Sequence, residues 1–185
     1  TNNQLHMSFL TLNENFTLKY TEKGNMFVNN NDYGANHYSS MADYFYSNLS
    51  DNQMYRHNKG EYNNYYGEHK PTKVTLLINP EADLSIIVNN IAFKSEAYLN
   101  SVDQPDTTLT HIRAYNEYQD SGQVELVNNR RGNIKRLFRE WNAQVPRDEG
   151  KRDRIRNPWT YLELTFDNPG NIEFILHDMM VSYTV

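Results

Sequence analysis

The chain is written in short apolar runs that alternate with polar positions and are broken by Asn, Gly and Pro. Its clearest stretch runs from Arg156 to Val185. There Leu162, Leu164 and Phe166 alternate with Tyr161, Glu163 and Thr165, and a period of two over β-branched and aromatic residues marks a half-buried strand. Pro169-Gly170 supplies a turn, since Pro presets φ and Gly accepts a positive φ. A nearly continuous apolar run follows from Ile172 to Tyr183. The pattern predicts a β-hairpin whose second strand is covered in part on both faces and forms the centre of the core. His177-Asp178 falls inside that strand, where a His is more often a hydrogen-bonded core residue than a catalyst.

The rest of the chain extends the same reading. Leu5 to Val28 predicts a hairpin turning at Lys23-Gly24-Asn25, and Met54 to Gly67 two polar-aromatic arms about Asn58-Lys59-Gly60. Lys73 to Asn79 is a strand stopped by Pro80, and Leu84–Val88 with Ile91–Leu99 form a strand pair around Asn89-Asn90. Asp120-Ser121-Gly122 turns the strand from Leu109 to Tyr118 into Val124–Val127. Ser40 to Asn48 reads equally as a short helix or a strand. Ile134, Leu137, Phe138 and Trp141 fall at i, i+3, i+4 and i+7, the apolar stripe of a short helix with Lys135, Arg136 and Arg139 toward solvent, a bulged edge strand being the alternative. The expected fold class is all-β, with antiparallel hairpins forming a sandwich-like or propeller-blade-like sheet module and one or two short helices. The expected organisation is a single β-rich module over 1–185, with a polar insertion at 29–53 and a basic linker or short helix at 128–158. The chain opens on Thr1, which suits a piece of a longer or processed protein.

Composition sharpens this picture. The apolar fraction is 38%, and Asn is roughly one residue in seven, so turns and polar surface take up much of the chain. Cysteine is absent, which removes disulfides and thiolate metal sites. No run approaches the roughly 20 apolar residues that cross a bilayer as a helix. The net charge of −5 hides an asymmetry: the segment from Arg130 to Arg156 carries ten Lys and Arg against four acids, a balance of +6, and the remainder carries −11. A basic stretch on an acidic body suits docking against an acidic neighbour, against copies of the same chain or against nucleic acid phosphates; a solvated loop is the plain alternative. Arg130, Arg131, Lys135, Arg136, Arg139, Arg152 and Arg154 are therefore the candidate interface residues.

Candidate chemistry is thin. The six His are not paired at the spacing that aims two imidazoles at one ion, and no phosphate-cradling Gly loop or nucleophile elbow is present. Tyr62, Tyr65, Tyr66 and Trp159 are candidates for stacking on a sugar, although Tyr is also an ordinary strand residue with an apolar body and a wet tip. Two carboxylates across a cleft would make a glycosidase, a geometry that spacing along the chain does not reveal.

One further pattern is more specific. The succession Tyr44-Phe45-Tyr46-Ser47-Asn48, Met54 to Tyr62, Tyr65-Tyr66-Gly67 and Val74 to Asn79 continues through Asn133-Ile134-Lys135-Arg136, Trp141, Val145-Pro146-Arg147-Asp148 and Arg154 to Trp159. From about Tyr44 onward it resembles the C-terminal part of the large tail muzzle, or tail stabilisation, proteins of crAss-like bacteriophages, which look analogous to the tail nozzles of short-tailed phages. The resemblance implies a virion structural component, made in the bacterial host cytoplasm and built in several copies around the tail channel through which DNA leaves. It implies copies of itself and other tail proteins as partners, with genomic DNA in the channel as a further contact. It also implies no enzymatic activity, no cofactor and no small-molecule substrate. A carbohydrate-binding β-domain of a tail or cell-surface protein is the alternative, and a glycan hydrolase a third.

Overall fold

Eighteen strands and no helix are formed by the described residues, which in this computed structural model are 4–11, 14–31, 33–168 and 170–185. The parts of the sequence reading that rest on Leu12, Asn13, Asp32 and Pro169 lie outside them. The all-β expectation is borne out, with every strand pairing antiparallel. Two compact units make up the chain, Thr1–Gly60 and Glu61–Val185.

In the first unit β1 (Gln4–Leu10), β2 (Asn15–Thr21) and β3 (Met26–Asn31) form a meander, and β4 (His37–Met41), β5 (Tyr44–Asn48) and β6 (Met54–Arg56) a second three-stranded sheet. The turn expected at Lys23-Gly24-Asn25 joins β2 to β3, with Asn25 at φ 49°. Of the two readings of Ser40–Asn48, the strand holds: Ala42 takes the left-handed turn position at φ 52°, and β4 returns as β5. The interior is aromatic and polar rather than aliphatic. The Phe45 ring lies 4.7 Å from both the His6 and the His57 rings and 5.5 Å from Tyr38. Ser8 Oγ reaches Thr17 Oγ1 and Tyr38 OH at 2.6 Å each, and Ser47 Oγ reaches His57 Nε2 at 2.7 Å. Burial, helped by the neighbouring charges of His6 and Lys19, pushes the His57 imidazole down to about 4.

The second unit opens with a small hairpin of β7 (Asn64–Tyr65) and β8 (Glu68–His69), followed by β9 (Thr72–Ile78), β10 (Ile86–Leu99), β11 (Val102–Asp103), β12 (His111–Tyr115) and β13 (Val124–Glu125). Then come β14 (Ile134–Leu137), β15 (Glu140–Gln144), β16 (Arg156–Asn157), β17 (Thr160–Phe166) and β18 (Glu173–Thr184). One sheet runs β13-β12-β17-β9. In the other, β10 pairs with β18 along one side and with β16, β15 and β11 in succession along the other, and β14 lies beyond β15. The two sheets face each other as a sandwich. Ile91 and Phe93 of β10, Trp141 and Ala143 of β15, Ile112 and Ala114 of β12, and Leu162 and Leu164 of β17 fill the space between them.

Five local expectations are corrected here. The run Leu84–Leu99 holds one strand, β10 from Ile86, rather than a hairpin, because Asn89 is a bulge: pairing jumps from Val88↔Tyr183 to Asn90↔Ser182. The bulge shifts the phase of alternation by one residue, so that Ile86, Val88, Ile91 and Phe93 all point inward. The C-terminal pair is an arch rather than a hairpin. β17 hydrogen-bonds to β12 and β9, β18 to β10, and Phe166 stacks on Phe174 at 4.3 Å between the sheets. β18 is half-buried on one face only and lies at a sheet edge, so the centre of its sheet is β10, and His177 is exposed, its Nε2 3.3 Å from Glu96 Oε2. The expected helix at Ile134–Trp141 is the β14–β15 hairpin. Ile134 and Trp141 are buried, Leu137 and Phe138 are exposed, and Phe138 (φ 50°) and Arg139 (φ 69°) form a two-residue turn with both φ positive. The helical spacing arose because a tight hairpin also returns to the same face after seven residues. Finally, the turn among the tyrosines is Tyr66-Gly67 (φ 55° and 83°) between β7 and β8, whereas Met54–Arg56 pairs with β5. The β12–β13 hairpin is borne out, with Ile112 opposite Val124.

The arch between β17 and β18 is held by Asn168, which is buried. Its Oδ1 accepts from the Ile172 N–H at 2.7 Å, and its Nδ2 donates to the Ile172 carbonyl at 2.5 Å and to Asn63 Oδ1 at 3.3 Å. Asn168→Ala leaves both Ile172 backbone groups without that partner and is expected to lower unfolding stability by about 1–3 kcal/mol in urea titrations. Stability of the first unit is expected to be full above pH 6.5 and to fall as pH drops toward 4, because the unfolded chain takes up a proton that folded His57 resists. Thermal melts at pH 7 and 4.5 check this, and His57→Gln is expected to flatten the difference.

Candidate interaction surface

The basic residues divide between two places. Lys135 and Arg136 lie on β14, Arg130 and Arg131 in the turn that leads into it, and Arg139 at the tip of the β14–β15 hairpin. Lys135 donates to the Asn129 carbonyl; Arg136 donates to the Pro105 carbonyl and lies 5.7 Å from the Trp141 ring centre. Arg139 is close enough to Glu96 to help hold that carboxyl below its usual range, although the hydrogen bonds from Tyr98 and His177 do more. Arg152 and Arg154 sit instead in the loop before β16, where Arg154 bonds to Asn89 Oδ1 and Arg152 takes a positive φ of 59°. That loop folds around Asp148, whose carboxyl is kept low by the N–H groups of Lys151 and Asp120. The structure therefore gathers Arg130, Arg131, Lys135, Arg136 and Arg139 along one sheet edge and leaves Arg152 and Arg154 apart from them.

That edge matters because a β-sandwich has two open sides where unpaired backbone groups meet solvent. On one side β13 and β14 are the last strands. Asn133 joins them, its Nδ2 donating to the Glu125 carbonyl at 2.8 Å and its Oδ1 accepting from the Val127 N–H at 2.8 Å. β13 has two residues and β14 carries Lys and Arg, both ordinary ways of blunting an edge. The other side is bounded by β9 and β18. Among the described residues no strand pairs with their outer edges. Val74 of β9 shares the core-side face with Leu164, yet it is 38% exposed, and Phe174, Leu176, Met179 and Val181 of β18 are only partly buried.

The tyrosines do not assemble into one platform. Trp159 packs edge-on against Tyr161 at 5.1 Å at the start of β17, whereas Tyr62, Tyr65 and Tyr66 lie near its far end, about 20 Å away at the strand rise of roughly 3.3 Å per residue. Tyr62 and Tyr65 are exposed and Tyr66 is half-buried. Tyr62 lines a cleft of about 390 Å³ with Glu61, Asn64, His69, Asn168 and Asn171. His69 Nε2 is 2.8 Å from Asp167 Oδ1, and Asn171 Oδ1 accepts from the Tyr62 N–H at 2.6 Å. Glu61 is the one carboxylate in that lining, so a facing pair of acids is not built there. Among the described residues no three His, Asp or Glu are placed to hold a metal, and no helix is long and apolar enough to cross a membrane. The free edges, the fully exposed Phe138 and the Asn168–Asn171 side of the cleft were not singled out from sequence. The one available signal was the pair of prolines, Pro71 and Pro80, that bracket β9 without interrupting it.

Residues 60–148 match the family model of the crassvirus muzzle protein C-terminal domain. The chain is also 30% identical over 190 aligned residues to the muzzle protein of Bacteroides phage crAss001. The chain is related to the crassvirus muzzle proteins through their C-terminal domain. The alignment takes in 96% of this chain and 14% of that relative, so the chain spans about one seventh of its length. The family match covers β7 to β15 and the loop after it, which includes the bulged strand β10 and the basic hairpin.

Proposed function

We propose that this chain is a virion structural module of a phage tail muzzle, assembled with other copies and other tail proteins around the channel through which DNA leaves, and that it has no catalytic role. The observation that carries this is the relation to the muzzle proteins over nearly the whole chain. The physical character of the surface supports it. Phe27, Met41, Met54, Leu77 and Phe138 are exposed, and the second unit leaves one side of its core partly open, as expected of a part whose neighbours supply burial. The basic edge of β14 is read as a contact with an acidic neighbour, with genomic DNA as a second surface it could meet. Purified virions labelled with antibody against this chain are expected to show density at the tail in electron micrographs. Virions that lack the chain, or carry it only on the capsid, overturn the proposal.

A second reading, a carbohydrate-binding β-domain, is favoured by one observation: an exposed Tyr ring at the rim of a cleft lined by amides and one carboxylate. The structural reading predicts that host surface glycans leave the nuclear magnetic resonance signals of Tyr62, Asn64 and Asn171 unmoved. Saturable shifts that Tyr62→Ala abolishes in a folded chain would transfer the assignment to sugar binding.

A further inference from the structure

The sheet β13-β12-β17-β9 has an outer face that neither the core nor the cleft uses. Ile112, Ala114, Leu162 and Leu164 point inward, so the residues between them point out, and residues opposite each other in register share that face. Tyr115 is opposite Tyr161 and Tyr161 opposite Leu77; one step along, Arg113 is opposite Glu163 and Glu163 opposite Thr75. Trp159, just before β17, packs into the same row. Ring centres lie 5.2 Å apart for Tyr115 and Tyr161 and 5.1 Å apart for Trp159 and Tyr161, the first pair tilted by 35° and the second by 64°. The three rings are half-buried, and Leu77 beside them is 57% exposed. Arg113 closes one end of the row. Its guanidinium lies 4.7 Å from the Tyr115 ring centre and is held by Asp120, whose Oδ1 accepts from Nε at 2.9 Å and whose Oδ2 accepts from a second nitrogen. Among the described residues the Tyr115 and Tyr161 hydroxyls and the Trp159 indole N–H have no hydrogen-bond partner.

We infer that this outer face binds a glycan chain, a hexose ring stacking on Trp159 and Tyr161 while its hydroxyls meet Arg113, Glu163 and the two phenol groups. The chemistry of the face selects that ligand. Its charges balance, Arg113 and Lys73 against Asp120 and Glu163, with Lys73 Nζ 3.6 Å from Glu163 Oε1, so it has no net field to gather a polyanion such as DNA. An apolar protein surface would strip water from Arg113 and Asp120, which stay 37% and 44% exposed, and return no hydrogen bonds. A sugar presents apolar C–H faces and a rim of hydroxyls. The rings take the first, and the unpartnered donors and acceptors take the second. The Asp120 clamp and the ring contacts fix these side chains before a ligand arrives, which lowers the cost of ordering them. The inference goes beyond the muzzle reading and does not rest on it, and it places sugar on a different surface from the Tyr62 cleft.

The chain has two tryptophans, and Trp141 is fully buried, so a ligand-induced change in tryptophan emission reports on Trp159. Titration with cellohexaose, xylohexaose and maltohexaose is expected to give a saturable change with at least one of them at millimolar concentration or below. Tyr161→Ala is expected to weaken that binding about tenfold or more, and Tyr161→Phe, which keeps the ring, by less. Arg113→Gln is expected to weaken it as well, and Tyr62→Ala to leave it unchanged. The Trp141 indole N–H signal in nuclear magnetic resonance spectra shows whether each variant is folded. No saturable change with any of the three sugars, binding that survives Tyr161→Ala in a folded chain, loss of binding through Tyr62→Ala, or tighter saturation of the same signal by a decaproline peptide or oligothymidylate would each overturn the inference. Virion labelling does not depend on this face, so failure here is told apart from failure of the muzzle reading.

Discussion

The second unit depends on the backbone hydrogen bonds of one long strand. Ile86–Leu99 holds β18 along nearly its whole length and β16, β15 and β11 in turn along its other side. Every strand of that sheet except β14 is attached to it directly. Its inward residues Ile86, Val88, Ile91 and Phe93 are buried, and Ile91 and Phe93 share one core with residues of the opposing β12 and β17. The bulge at Asn89 is what lets fourteen residues keep one face inward, because a sheet that must both twist and stay packed needs a residue out of phase.

The completeness of that packing falls off from one side of the sandwich to the other. Near β13 and β14 the core is sealed by Trp141, Ile134 and Leu126 and the edge is guarded by short or basic strands. Near β9 and β18 the same face contains residues that water still reaches. A domain designed to live alone would be expected to protect all its edges. Here one edge is protected, and the other has no strand beside it among the described residues. The first unit is unlike this. It is held by hydroxyl and imidazole hydrogen bonds around Phe45 rather than by aliphatic burial, which ties its stability to pH through His57.

Much of the fold was legible from period and punctuation. Lys73–Ile78, Leu162–Phe166 and the β12–β13 hairpin follow from alternation and turn residues, because each depends on neighbours within about a dozen positions. The basic cluster was equally visible as charge. What alternation could not show is which strand pairs with which. Trp159–Phe166 and Ile172–Tyr183 look like the two arms of a hairpin, yet they lie in different sheets, since each finds its backbone partners 46 or more residues away. The spacing of Ile134, Leu137, Phe138 and Trp141 fits a helix and a tight hairpin alike, and packing of Trp141 beside Phe93 in the neighbouring strand chose between them.

By itself, the sequence determined the strand content, the absence of disulfide chemistry and the segregation of charge, all properties of composition and short-range order. Only the tertiary structure decided that β10 is central, that His177 faces solvent, that five of the seven basic residues line one edge and that the opposite edge is open. The reason is that an edge is a property of the whole sheet. A strand carries the same residues whether or not another strand lies beside it, and only the assembled layers show where pairing stops.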